Sequence, residues 1–149
     1  MKKLVLALFA IFTITAISIS TMVHADKSNG KYLVILQAGK DSKDGGARGL
    51  HALLYTKELK DNGSEVTLVF DGAGTTWALA MQEKDYAYHK LYKELENAGV
   101  VEIICDACSM AYKVKKELKG KGLKNFEGEF EGHPSIVKWV KKGYQIITL

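Results

Sequence analysis

The chain has 149 residues, 47% of them hydrophobic and 26% charged, which suits one domain with a sizeable core and is too short for two. Its formal charge is +4, but discounting Lys2 and Lys3 of the N-terminal segment leaves 19 basic against 17 acidic residues. That balance is close to neutral, and the basic residues are scattered rather than gathered with aromatics on one face, which argues against nucleic acid as a partner.

Lys2 and Lys3 precede an apolar stretch from Leu4 to Ile19, followed by Ser20-Thr21 and Val23-His24-Ala25. A basic start, an apolar middle and small residues at the end form the layout of a secretory signal peptide. Residues 1–25 are therefore expected to be a leader cut after Ala25, and residues 26–149 a single domain in the periplasm or secreted. The competing reading is an uncleaved anchor, since the apolar stretch approaches the roughly 20 residues that span a bilayer.

Lys31 to Gln37 reads as a buried strand, Gly39 to Gly46 as a loop, and Ala47 to Lys60 as a helix stopped by Asn62-Gly63. Glu65 to Phe70 is a second strand. Asp71-Gly72-Ala73-Gly74 turns into a short helix over Thr75 to Gln82, and Asp85 to Asn97 makes a longer one. Val100 to Ile104, with four apolar residues of five, predicts a central strand. A helix over Ala107 to Lys119, a short edge strand over Phe126 to Phe130, a helix opened by His133-Pro134-Ser135 and a strand over Gln145 to Leu149 complete the chain.

Short apolar strands alternating with helices predict an α/β fold with a mostly parallel sheet covered on both faces. Chemistry in such sheets sits beyond the carboxyl ends of the strands. The loops over Gln37 to Gly46, Asp71 to Thr76 and Cys105 to Ser109 should converge there.

Cys105 and Cys108 are the two cysteines of the chain, spaced C-x-x-C at the end of the third strand. A disulfide between them would close too small a loop to restrict the unfolded chain much, so a structural staple explains them poorly. A zinc site commonly takes two such pairs, and His51, His89 and His133 stand singly, reading as surface or packing residues; no metal and no cofactor is expected. A thioredoxin-type dithiol would carry its motif earlier, with a cis-proline facing it, whereas Pro134 reads as a helix-start residue. The glycine loops lack the phosphate-binding arrangements. What remains is a thiol at the amino end of a helix, where backbone N–H groups favour a thiolate and depress its pKa below about 8.5.

Strand, C-x-x-C and helix in the third β-α unit, with Gly99-Val100 opening the strand and Ala111 completing Cys-x-x-Cys-x-x-Ala, resemble the DsrE/DsrF-like family of sulfur-relay proteins. The likeness runs from Lys31 to Leu149. It implies a three-layer flavodoxin-like sandwich with a five-stranded sheet, homo-oligomers such as trimers or hexamers, and a cysteine that accepts and passes on sulfur as a persulfide. The acceptor position of that family maps onto Cys105, and many members also have the second cysteine, here Cys108. Two features depart from the family: Tyr112-Lys113 stands where Arg-Gly is frequent, and an exported chain cannot simply serve cytoplasmic tRNA thiolation.

The function expected is that of a sulfur carrier, exchanging sulfane sulfur with donor and acceptor proteins or small sulfur compounds. Asp71, Gly72 and Gly74 are expected to shape the neighbouring loop, and Lys40 or Lys43 to attract an anionic sulfur substrate. Two alternatives stay open: a dithiol/disulfide oxidoreductase, and a non-catalytic oligomeric binding protein.

Overall fold

The computed structural model describes residues 30–149; the leader expected over residues 1–25 lies outside them. Five strands form one sheet: β1 (Lys31–Leu36), β2 (Glu65–Phe70), β3 (Val101–Cys105), β4 (Phe126–Glu127) and β5 (Tyr144–Thr148). All pairings are parallel, and the order across the sheet is β4-β3-β2-β1-β5. The expected α/β three-layer, flavodoxin-like sandwich is the fold observed. β3 is an interior strand, but the middle of the sheet is β2.

The helices are α1 (Gly45–Asp61), α2 (Thr75–Ala80), α3 (His89–Asn97), α4 (Asp106–Ala111), α5 (Lys115–Gly120) and α6 (Ile136–Lys141). Side chains alternate across each strand, so β1 sends Val34 and Leu36 into one core and Leu33 and Ile35 into the other. The larger core takes Ala52 and Leu53 of α1, Trp77 of α2, Tyr92 of α3 and Leu118 of α5. The opposite core contains Val69, Ile103, Trp139 and Tyr144, and α6 supplies its helical cover through Trp139. Among the described residues no helix is long and apolar enough to cross a membrane.

Four elements differ from expectation. The helix expected over 85–97 begins at His89, because Tyr86 and Tyr88 are held in turns against Trp77, at ring distances of 6.0 and 5.6 Å. The helix expected over 107–119 is two helices, broken where Lys113 takes φ of 61°. The edge strand over 126–130 pairs for only two residues, and Pro134 stands outside α6, whose N-cap is Ser135, with its Oγ accepting from the Lys138 N–H.

Connections β1-β2, β2-β3 and β3-β4 all step in one direction across the sheet, and their helices cover the larger core. The connection from β4 to β5 runs back across the sheet and places α6 on the other face. The exits of the neighbouring strands β3 and β4 therefore diverge to opposite faces. Such a divergence opens a crevice at the carboxyl ends, where ligands of open α/β sheets bind.

Candidate functional site

Register assembles the site. Leu36 pairs with Phe70 and Phe70 with Ile104, so the next residues, Gln37, Asp71 and Cys105, line up across the carboxyl ends of β1, β2 and β3. Gln37 Nε2 donates to Asp71 Oδ2 at 2.8 Å, leaving Oδ1 to face Cys108 Sγ at 3.3 Å. Cys105 ends β3 and caps α4, its Sγ accepting from the Cys108 N–H at 3.4 Å.

The fourth wall comes from the turn after β4. Glu131 and Gly132 both have positive φ, 48° and 86°, the conformation of a two-residue turn, and Phe130 and His133 exchange backbone hydrogen bonds across it. The Gly132 carbonyl accepts from the Ala107 N–H at 2.8 Å, and a Cβ at Gly132 would come within 2.9 Å of the Ala107 side chain. Clamped against α4 in this way, the turn hangs His133 over the thiols: its Nδ1 is 3.2 Å from Cys105 Sγ and 3.5 Å from Cys108 Sγ. Lys138, paired with Glu127 and Glu129, ties the turn to α6.

One ligand-capable atom from each of Asp71, Cys105, Cys108 and His133 lies within 4.8 Å of the others. Both cysteines are free thiols and both are buried, Cys105 completely and Cys108 to 8% exposure, while His133 is exposed. Burial pushes both thiols above their ordinary pKa; for Cys105 the Cys108 N–H opposes it, and for Cys108 the Gly72 N–H does, without overcoming it. The thiolate favoured by a helix start is thus outweighed by desolvation. Burial also works to raise Asp71, but the bonds from Gln37, both thiols and the Gly72 N–H prevail and hold its carboxyl below the usual range.

Of the residues expected at the site, Asp71, Cys105 and Cys108 come together. Gly72 supplies its N–H, and Gly74 packs its turn on β1, where a Cβ would lie 1.9 Å from the Leu36 carbonyl oxygen. Lys40 and Lys43 do not join the cluster: the Lys40 ammonium is paired with Asp41 at 2.7 Å, and Lys43 is exposed with no hydrogen bond or ion pair to these groups. His133, expected as a surface or packing residue, instead contacts both thiols. The signal for it was Glu131-Gly132-His133-Pro134 after a strand: a turn-forming glycine next to a histidine that the following proline restricts to extended backbone.

The model of the DsrE/DsrF-like family matches residues 30–149. The chain belongs to that family. Membership connects this DsrE/DsrF-like protein, in general terms, to sulfur relay. The chain is 36% identical over 100 residues, 67% of its length, to the uncharacterized protein MJ0733 of Methanocaldococcus jannaschii, of which the match covers 78%. It is similar in fold to the structure of BT1422, a conserved protein of unknown function from Bacteroides thetaiotaomicron, with a TM-score of 0.53 and 20% identity over 83% of this chain and 98% of that one.

Proposed function

We propose that this protein carries sulfane sulfur as a persulfide on its cysteine pair, with Cys105 as acceptor and Cys108 as resolving thiol. The observation that carries the reading is the placement of two free thiols beside a histidine and an ionised carboxylate at the crevice between β3 and β4. A buried thiol needs a base, and His133 Nδ1 is within reach of both; its exposure lets the proton pass on to water.

In the loading step the thiolate attacks the outer sulfur of a persulfide or polysulfide donor. The donor S–S bond breaks, the donor leaves as a thiolate one sulfur shorter, and the cysteine retains the transferred atom. An acceptor thiolate then attacks that outer sulfur and regenerates the cysteine, with no net oxidant. Alternatively, the partner cysteine attacks the inner sulfur, hydrosulfide leaves, and a disulfide forms that a thiol reductant must reopen. Cys108 keeps the small exposure that Cys105 lacks, so a donor approaches past Cys108 and His133.

The setting belongs to the same proposal. With the leader expected at residues 1–25, donors and acceptors are sulfur compounds or proteins outside the cytoplasm. A homo-oligomer is supported by Ile136, Val137 and Val140 on α6 and Phe130 beside it, which are 45%, 60%, 56% and 64% exposed. The test is transfer of sulfur from polysulfide to a small thiol acceptor by sub-stoichiometric reduced protein. Multiple turnovers are expected in the wild type, none in Cys105→Ser, and a slowing of about 100-fold in His133→Ala. Wild-type transfer no faster than in the double Cys→Ser variant would refute the reading, and disulfide exchange lost with either cysteine would replace it with a dithiol oxidoreductase.

A further inference from the structure

The same four side chains admit chemistry that sulfur relay does not need. We propose that Asp71, Cys105, Cys108 and His133 form a tetrahedral site for a borderline-soft divalent cation, zinc above all. Zinc bonds of about 2.3 Å to sulfur and about 2.0 Å to nitrogen or oxygen require tetrahedral edges of roughly 3.3–3.8 Å between ligand atoms. The contacts Cys105 Sγ to His133 Nδ1, Cys108 Sγ to His133 Nδ1 and Cys108 Sγ to Asp71 Oδ1 measure 3.2, 3.5 and 3.3 Å. They agree with those edges to within a few tenths of an ångström, and small side-chain rotations suffice to close the remaining ones, since all four atoms already lie within 4.8 Å of one another.

The donor set selects the ion. Two sulfurs, one imidazole nitrogen and one carboxylate oxygen suit zinc and do not suit magnesium or calcium, which take oxygen ligands. The surroundings behave as an outer shell. Gln37 fixes the Asp71 carboxylate through the oxygen that does not face Cys108, the Cys108 N–H steadies Cys105 Sγ, and the clamped turn orients His133. His133 is the exposed member and closes the site from the solvent side. Sequence spacing hid this set because its ligands come from three separate segments, after β2, at the β3-α4 junction and after β4. A cation there engages both thiolates and so excludes sulfur loading; that consequence rests on the sulfur-carrier reading, whereas binding itself does not.

The experiment titrates the reduced full domain, residues 26–149, and its full-length parent with cobalt(II), then with zinc against a chromogenic chelator. The expected result is one cation per chain, an intense visible spectrum of tetrahedral cobalt with a near-ultraviolet thiolate band, and displacement of cobalt by zinc. His133→Ala and Asp71→Asn, each checked for native circular dichroism, should weaken zinc by ~10-fold to 100-fold or more and alter the cobalt spectrum. Failure to bind one equivalent, or binding equally tight in both variants, overturns the four-ligand site. Neither outcome touches sulfur transfer, which is assayed without metal, so the two readings fail separately.

Discussion

Lys113 holds the junction between α4 and α5 in a conformation its side chain disfavours. Its φ of 61° lies in the left-handed region, which costs an L-residue with a Cβ about 1–2 kcal/mol that glycine avoids. The side chain is exposed, so little packing is lost on removing it. Lys113→Gly is expected to raise unfolding free energy by about 0.5–1 kcal/mol after the extra entropy of glycine in the unfolded chain is counted. Equilibrium denaturation reads this directly, and a lower midpoint would show that the junction is not strained. The departure from the family's frequent Arg-Gly at Tyr112-Lys113 thus has a backbone consequence. At the same scale, Cys105, Cys108 and Asp71 were legible because they stand at or just beyond the end of a recognisable strand. His133 was not, because its contacts depend on a turn that folds back from a segment 25 residues further along, and Lys40 stands apart from the thiols, ion-paired with its neighbour Asp41.

Among the elements, β3 combines the site with a half-buried acid. Glu102 accepts a hydrogen bond from the Tyr92 hydroxyl of α3, and burial, with the nearby Glu96 and against the pull of Tyr92 and Lys93, pushes its carboxyl up to about 7 from its usual 4.5. The folded state therefore holds the proton more tightly than the unfolded one. Stabilisation from the neutral acid is complete below pH 4.5 and is lost as pH rises through 7, an effect on the order of 2–3 kcal/mol. Glu102→Gln keeps an oxygen acceptor for Tyr92 without the charge. It should flatten the decline in stability between pH 4.5 and 8 and leave the variant more stable than wild type at pH 8; an unchanged pH profile would contradict a raised Glu102 carboxyl. The identities of β1, β2 and β3 followed from apolar runs, whose burial on both faces leaves a plain signal. Helix boundaries were less legible where tertiary packing overrode local preference: the Tyr86 and Tyr88 rings on Trp77 delayed α3, and the Lys113 backbone split the helix after the cysteines.

For the molecule as a whole, the two faces of the sheet are covered unequally. Among the described residues, five helices pack along one side, while the six residues of α6 serve the other and leave Val137 and Val140 largely exposed. Beside them, a cavity of about 300 Å³ lined by Leu33, Ile35, Val69, Phe130 and Ile136 reaches Asp71 and His133 at the site. In the proposed homo-oligomer this apolar surface is the contact between copies, placing the interface next to the thiols. Light scattering should give a multiple of the chain mass for the wild type and a smaller species for Val137→Lys with Val140→Lys; a monomeric wild type would remove the oligomer from the account.

Sulfur carriage by the pair is tested most directly by intact mass. Reduced protein is incubated with polysulfide and measured with and without reductant, as wild type and as each single Cys→Ser variant. A persulfide on Cys105 gives a reductant-sensitive gain of about 32 Da, one sulfur atom, that disappears in Cys105→Ser. A loss of about 2 Da with no sulfur gained, the mark of a disulfide between Cys105 and Cys108, would contradict it.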